Sequence, residues 1–157
     1  MKNLLAVLFI LVSAVASAQT VNFSGNYAID LNKTVFGDAP HGVLPATINV
    51  KQEKAQTTIV RQDKDAKILG TEELKFDGSI LNRTLPDGVK ATSALKWAAD
   101  KKTFNVDKKA FDGEGQVSNS VKETFSLEDG GKTLILFRDV AQSNGMKYTI
   151  KGIYNKQ

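Results

Sequence analysis

Alternation of apolar and polar side chains recurs along most of this chain, and short turn signals interrupt it every eight to twelve residues. In the segment from Ala46 to Lys51, for example, Ala46, Ile48 and Val50 share one side of an extended chain and polar residues occupy the other. A period of two fits a strand with one buried face, whereas a helix repeats every ~3.6 residues. The pattern therefore predicts an all-β protein.

The turn signals divide the chain into about ten short strands, one of them from Gln56 to Gln62. Asp77-Gly78 and Asn144-Gly145 are two-residue hairpin signals, and Pro86-Asp87-Gly88 also favours a turn. Short connections predict an antiparallel up-and-down meander, and closing it into a barrel removes exposed edges. A barrel of this size leaves room for an interior cavity. A two-sheet sandwich is the structural alternative.

The first eighteen residues have the features of a signal peptide. Lys2 precedes a twelve-residue apolar run from Leu4 to Val15, and Ala16-Ser17-Ala18 follows as a small-residue cleavage site. This run is shorter than the ~20 residues that cross a bilayer. We therefore expect residues 1–18 to be removed and residues 19–157 to form one domain in the periplasm or outside the cell, without a membrane span.

Composition argues against several functional classes. The chain has no cysteine and one histidine, His41, so disulfides and thiolate metal sites are excluded, and histidine-based catalysis would depend on one loop residue. The 21 basic residues are interspersed with 17 acidic ones and form no basic stripe. We therefore expect a protein that is not an enzyme, holds no metal or cofactor, and does not bind nucleic acid.

Several segments resemble a group of small exported bacterial proteins with a lipocalin-like, or calycin, barrel. The match begins with the segment from Phe23 to Gly37, which has the form Gly-x-aromatic, a strand, then Lys-Thr-x-Phe-Gly. It continues in Leu95-Lys96-Trp97, in the segment from Glu123 to Leu134, and in the segment from Tyr154 to Gln157. The resemblance implies a lipocalin-like barrel but assigns no activity.

Two positions compare informatively with the wider calycin group. Lipocalins usually carry a tryptophan after Gly-x in the first strand, packed across the closed end of the barrel, and Tyr27 stands there in this chain. Fatty-acid-binding proteins hold a ligand carboxylate with Arg-x-Tyr in the last strand. Here Gly152 lies two residues before Tyr154, so that carboxylate site is missing at this position.

Charged residues on otherwise apolar strand faces are the candidate ligand-binding residues. An inward-facing charge is costly unless it is paired or meets a charged ligand. Two further aromatic residues offer contact surface. The candidate ligand-binding residues are Arg61, Arg83, Trp97, Glu123, Arg138 and Tyr148. Two structural readings compete: a β-bulge turns a charge to solvent, or Glu123 and Arg138 form a cross-strand pair.

The leading functional hypothesis is an exported, non-enzymatic protein that holds a small, largely apolar ligand inside the barrel. The alternative is a protein-interaction module, such as an inhibitor or envelope component, that uses the barrel as a scaffold. Its contact would be the loop from Phe36 to Pro45, because long loops on rigid barrels often carry binding.

Overall fold

The computed structural model of this chain describes residues 20–40, 42–85 and 87–157. Within those residues, ten β-strands form one antiparallel sheet. The expected leader over residues 1–18, His41 and Pro86 lie outside the described residues. No helix in the described part of the chain is long and apolar enough to cross a membrane.

The strand count and the meander agree with the sequence prediction, and the observed β3 has the predicted bounds. The strands are β1 (Gly25–Ile29), β2 (Thr47–Gln52), β3 (Gln56–Gln62), β4 (Ile68–Lys75), β5 (Leu81–Thr84), β6 (Lys90–Trp97), β7 (Thr103–Phe111), β8 (Val117–Glu128), β9 (Thr133–Gln142) and β10 (Lys147–Lys156). A single 3-10 turn, Asp129–Gly131, connects β8 to β9.

The sheet closes almost completely into a barrel. Its strand order is β4-β3-β2-β1-β10-β9-β8-β7-β6-β5, so the first and last strands pair and β4 and β5 are its two edges. Tyr27 in β1 lies opposite Lys156 in β10. Between β4 and β5 the described residues show no backbone pairing, and we call this line the seam. The predicted barrel is therefore confirmed, with one open seam.

Aspartate and asparagine side chains organise the tight turns. In each case the side-chain oxygen accepts a hydrogen bond from the backbone N–H two residues later, an arrangement that stabilises a turn before the next strand begins. The residues that do this in the short turns are Asp63, Asp77, Asp87, Asp100, Asp112 and Asn144. The short connections predicted from Asp-Gly and Asn-Gly therefore have a local cause.

The turns alternate between the two ends of the barrel, and one end is packed with aromatic rings. This aromatic end carries the β2–β3, β4–β5, β6–β7 and β8–β9 connections. The Phe104 ring lies 4.7 Å from the rings of both Phe23 and Phe125 and 5.5 Å from that of Trp97, measured between centroids. Tyr27 is fully buried, and its hydroxyl donates to the Phe23 carbonyl at 3.0 Å. We call the opposite end the loop end.

Gly152 in β10 is a position where the interior has no room for a side chain. A Cβ atom there would lie 2.9 Å from Cε2 of Tyr154 and 3.0 Å from Cδ1 of Leu44. We expect Gly152→Ala to lower the free energy of unfolding by about 1–3 kcal/mol through overpacking. Urea denaturation measures this. The matched control is Gly70→Ala in β4, whose Cβ would meet nothing within 4 Å. Equal stability of the two variants would contradict this account.

Candidate functional site

A cluster of charged side chains occupies the barrel interior. Each member comes from a different strand and points inward through the same alternation that buries its apolar neighbours. Six direct ion pairs connect them. The members of this charged cluster are Arg61 in β3, Glu72 in β4, Arg83 in β5, Lys108 in β7, Glu123 in β8 and Arg138 in β9.

Glu123 is the fully buried centre of one half of the cluster. Its Oε2 accepts from Nη2 of Arg61 at 2.7 Å and lies 2.8 Å from Nζ of Lys108. Its Oε1 accepts from Nη2 of Arg138 at 2.7 Å and from Nε of the same side chain at 3.1 Å. Glu123 and Arg138 are also direct cross-strand partners in the β8–β9 ladder. The cross-strand pair that the sequence suggested for Glu123 and Arg138 is therefore present, as part of a larger network of ion pairs.

Glu72 is the centre of the other half, and it bridges the seam. It pairs with Arg61 and lies 2.8 Å from Nζ of Lys108. Across the seam, its Oε1 lies 3.0 Å from Nη2 of Arg83 in β5 and accepts from Oγ of Ser93 in β6 at 2.7 Å. Side chains therefore join β4 to β5 and β6 where the backbone ladder is missing.

The charged cluster has more positive than negative groups. Four cationic side chains share two carboxylates, so the cluster carries a formal excess of two positive charges when Lys108 is protonated. Burying charge is costly unless it is paired. The arrangement therefore favours negative charge in the part of the interior that these cations face.

Proton affinities in the cluster reflect the balance between burial and these ion pairs. Burial alone would raise the pKa of Glu72, but Lys108 and Arg61 outweigh it and lower the pKa to about 2. Burial likewise opposes charge on Glu123, and Arg61, Lys108 and Arg138 hold its pKa below the ordinary value. Burial lowers the pKa of Lys108, against the opposing effect of Glu123. Both carboxylates are therefore ionised at neutral pH.

These shifts predict loss of stability in acid. The pKa of Glu72 is about 2 in the folded protein, against an ordinary value of 4.5, so the unfolded chain binds more protons between these two values. The stabilisation is complete above about pH 4.5 and is lost as the pH falls toward 2. For Glu72 alone it amounts to about 3 kcal/mol. Glu123 acts in the same direction.

Urea denaturation between pH 6 and pH 2.5 tests this expectation. The exposed Glu73 beside Glu72 provides the matched control. Glu73→Gln should leave the profile unchanged, whereas Glu72→Gln should make it shallower and leave the contribution of Glu123. A wild-type free energy of unfolding that is constant over this range would show that the cluster carboxylates do not stabilise the fold.

The six candidate residues predicted from the sequence are not all together. Arg61, Arg83, Glu123 and Arg138 all belong to the charged cluster. Trp97 instead packs among the rings of the aromatic end, 5.5 Å from Phe76 and 5.9 Å from Phe23 between centroids. Tyr148 is half-buried near the start of β10 and borders a shallow surface depression with Lys122 and Asp139. A ligand-binding role for these residues remains a prediction.

Sequence reasoning missed two members of the cluster, Glu72 and Lys108. The signal was present, because Glu72 alternates with the buried Leu74 in β4, and Lys108 follows the buried Phe104 and Val106 at the same spacing in β7. Both residues lie among other charged residues in the sequence, and those neighbours obscured the alternation.

A cavity of about 560 Å³ lies at the loop end. The long β1–β2 connection and the β3–β4 turn form much of its wall, and Asp63 and Lys64 are its charged lining residues. The rest of the named lining is mainly apolar. The apolar residues that shape it are Ile29, Leu31, Phe36, Leu44, Pro45 and Leu69. Its size and lining are those of a site for a small, largely apolar molecule.

The β1–β2 loop is fixed over this cavity by the barrel interior. Nη1 of Arg138 donates to the Val43 carbonyl at 2.7 Å, and the Tyr154 hydroxyl donates to the Pro45 carbonyl at 3.2 Å. Val35 also pairs with Lys151 of β10 through backbone hydrogen bonds. One cluster member therefore holds the loop whose residues form part of the cavity wall.

A second, smaller cavity of about 120 Å³ is lined by residues of β5 to β8 and by Leu85 just after β5. Its polar lining consists of Arg83, Lys108, Lys109 and Asn119, and no acidic residue lines it in the described chain. Leu85 and Val121 contribute apolar surface.

The described residues contain no group of three or more histidine, cysteine, aspartate or glutamate side chains placed to hold a metal ion.

Comparison with solved structures supports the fold. The chain is similar to zebrafish ileal bile acid-binding protein complexed with cholic acid, with a TM-score of 0.57, 11% identity, and coverage of 86% of this chain and 98% of that one. It is also similar to a secretary abundant heat soluble (SAHS) protein from Ramazzottius varieornatus, with a TM-score of 0.60, 10% identity, and coverage of 85% and 94%. No family model and no curated protein matches the chain. These likenesses establish a calycin-like barrel.

Proposed function

We propose that this protein is an exported, non-enzymatic binding protein that holds a small, largely apolar molecule at the loop end of its barrel. The observation that carries the proposal is the cavity of about 560 Å³ with a mainly apolar lining. The structural neighbour that was solved with cholic acid has the same type of barrel, which makes a ligand inside the fold reasonable. The export part of the proposal rests on the leader over residues 1–18.

A neutral fluorescent probe, N-phenyl-1-naphthylamine, tests the apolar cavity. We expect the purified protein to bind it saturably with enhanced fluorescence. Ala46 lines the cavity, so Ala46→Trp should fill part of it and weaken binding roughly tenfold, the loss expected for about 1.4 kcal/mol. Ala55→Trp, at an exposed position of the aromatic end, is the matched control and should bind like the wild type.

Native mass spectrometry of protein purified gently from its host provides a second test. An excess mass that disappears on denaturation would identify a bound molecule, and a protein mass beginning at residue 19 would support export. The proposed function fails if the protein neither carries such a mass nor binds the neutral probe, or if Ala46→Trp and Ala55→Trp bind the probe equally.

The interaction-module alternative retains one supporting observation. Leu31 and Val35, on the β1–β2 connection, are exposed, and so are Ile68 and Leu69 at the start of β4. Phe36, Val43 and Leu44 are partly buried, however, and the loop is held to the barrel by Arg138 and Tyr154. The loop is therefore better placed as a cavity wall than as a free contact arm, and a clean apo mass would be the result that favours the alternative.

A further inference from the structure

The smaller cavity has a polar lining, unlike the apolar cavity, and shares no lining residue with it. Arg83 and Lys108 line the smaller cavity, and both belong to the charged cluster. Lys109 also borders it, from the exposed face of β7 opposite to the face that carries Lys108. Because no acidic residue lines it in the described chain, a ligand there meets a positively charged wall.

The cations of this wall have donors beyond those used by their ion pairs. Arg83 pairs with Glu72 through Nη2, and its Nε has no hydrogen-bond partner among the described residues. The planar guanidinium offers five N–H donors, which suits the oxygens of an anion. Its side chain is 27% exposed and lines the cavity.

A third polar group faces the same cavity. Oδ1 of Asn119 is buried, and no hydrogen-bond partner for it lies in the described part of the chain. An unpaired buried polar atom is costly, and an amide can both donate and accept. A hydrogen phosphate, which carries a protonated oxygen as well as negative charge, would satisfy Asn119 Oδ1 and Arg83 together. A carboxylate has no proton to donate and would use the N–H donors of Arg83 and Asn119 instead.

The charge balance of the whole cluster points the same way. Glu72 is shared by Arg61, Arg83 and Lys108, and Glu123 by Arg61, Lys108 and Arg138, which leaves two positive charges in excess. A bound anion would offset this excess within hydrogen-bonding distance of the cations that line the cavity.

We infer that the smaller cavity binds an oxyanion, a carboxylate or phosphate group, through Arg83 and Lys108 with Asn119 as an additional hydrogen-bonding partner. The oxyanion has two possible sources: a free small anion, or the head group of the ligand in the apolar cavity. The second source rests on the proposed function, whereas the first does not.

The experiment compares three probes on the whole protein: inorganic phosphate, decanoate, and the uncharged decanol. Thermal shift follows phosphate against chloride at equal ionic strength, and calorimetry compares decanoate with decanol. We expect phosphate to stabilise the protein saturably, or decanoate to bind at least roughly tenfold more tightly than decanol. One charge-assisted hydrogen bond supplies a preference of that size. Phosphate stabilisation identifies a free anion, and decanoate preference alone identifies a head group.

Arg83→Met is the diagnostic variant and should abolish either preference. It removes an excess cation, so we expect it to remain folded, and Arg83→Lys should restore part of the preference by returning the charge. Lys96→Met, on the exposed face of β6, is the matched control and should behave like the wild type.

The inference is overturned if wild type shows neither preference, or if the preference survives in Arg83→Met. Decanol binding without any charge preference would leave the proposed function intact and refute the oxyanion site. Phosphate stabilisation of a protein that neither carries an excess mass nor binds N-phenyl-1-naphthylamine would support the oxyanion site while the proposed function fails. The two failures are therefore distinguishable.

Discussion

Glu123→Gln is expected to lower the free energy of unfolding by about 3–5 kcal/mol, because it leaves buried cations without their shared carboxylate. Glutamine keeps the shape of the side chain and removes the charge. Arg61, Lys108 and Arg138 all contact the Glu123 carboxylate, whose residue is fully buried. The excess of positive charge in the cluster would rise from two to three. Urea denaturation at pH 7 gives the measurement.

A second substitution separates the electrostatic cause from simple loss of packing. Lys108→Met in the Glu123→Gln background removes one cation and returns the excess to two. We expect the double variant to recover at least about 1 kcal/mol relative to Glu123→Gln alone, as coupled residues do. The control is Glu128→Gln, at the exposed end of the same strand. If Glu128→Gln were as destabilising, or if Lys108→Met made Glu123→Gln worse, the charge explanation would be wrong.

Phe104→Ala should have an effect of similar size, from a different cause. The Phe104 ring lies in the fully packed aromatic end, between the rings of Phe23, Trp97 and Phe125. Removing it leaves a cavity that the surrounding rings fill only partly, which costs about 3–5 kcal/mol. Trp97 is the only tryptophan in the chain, so its fluorescence reports both the transition and the local change.

Phe137 provides the comparison for Phe104. It lies in β9 with 40% of its surface exposed, on the outer face of the barrel. Phe137→Ala should cost less than about 1 kcal/mol, because little apolar surface returns to water and no enclosed void is created. Equal losses for the two phenylalanines would mean that the aromatic end is not the packed core described above.

Most of the fold was predictable because short-range features determine it. The alternation in Gln56–Gln62 placed Thr57, Ile59 and Arg61 on one face, and all three are buried. Strand ends were less accurate: β1 is Gly25–Ile29, shorter than the alternation from Phe23 to Leu31 suggests. There, Phe23 belongs to the aromatic end, and Leu31 lies in the cavity wall after the strand has ended.

The site was only partly predictable because its features depend on closure in three dimensions. Alternation identified Arg61, Arg83, Glu123 and Arg138 as inward-facing candidates, and the structure places them in one cluster. It does not determine which strands form the edges of the sheet. The role of Glu72 in bridging the seam therefore had no signal in the sequence.

The strand order has a consequence for how the chain reaches this structure. Eight of the nine strand pairings join sequence neighbours, and the pairing of β1 with β10 alone requires distant parts of the chain to meet. Two locally connected meanders, β1 to β4 and β5 to β10, can therefore form before they associate, because local contacts carry the smaller loop-closure entropy.

Arg61 and Glu72 belong to the first of these meanders, whereas Arg83, Lys108, Glu123 and Arg138 belong to the second. Three of the six ion pairs in the cluster therefore cross the junction between the two halves. We expect the side chains of these pairs to be desolvated and to form their ion pairs in the same late step of folding. The polar centre of the barrel would then act as a check on correct assembly, since a mismatched association of the halves would bury charges without partners.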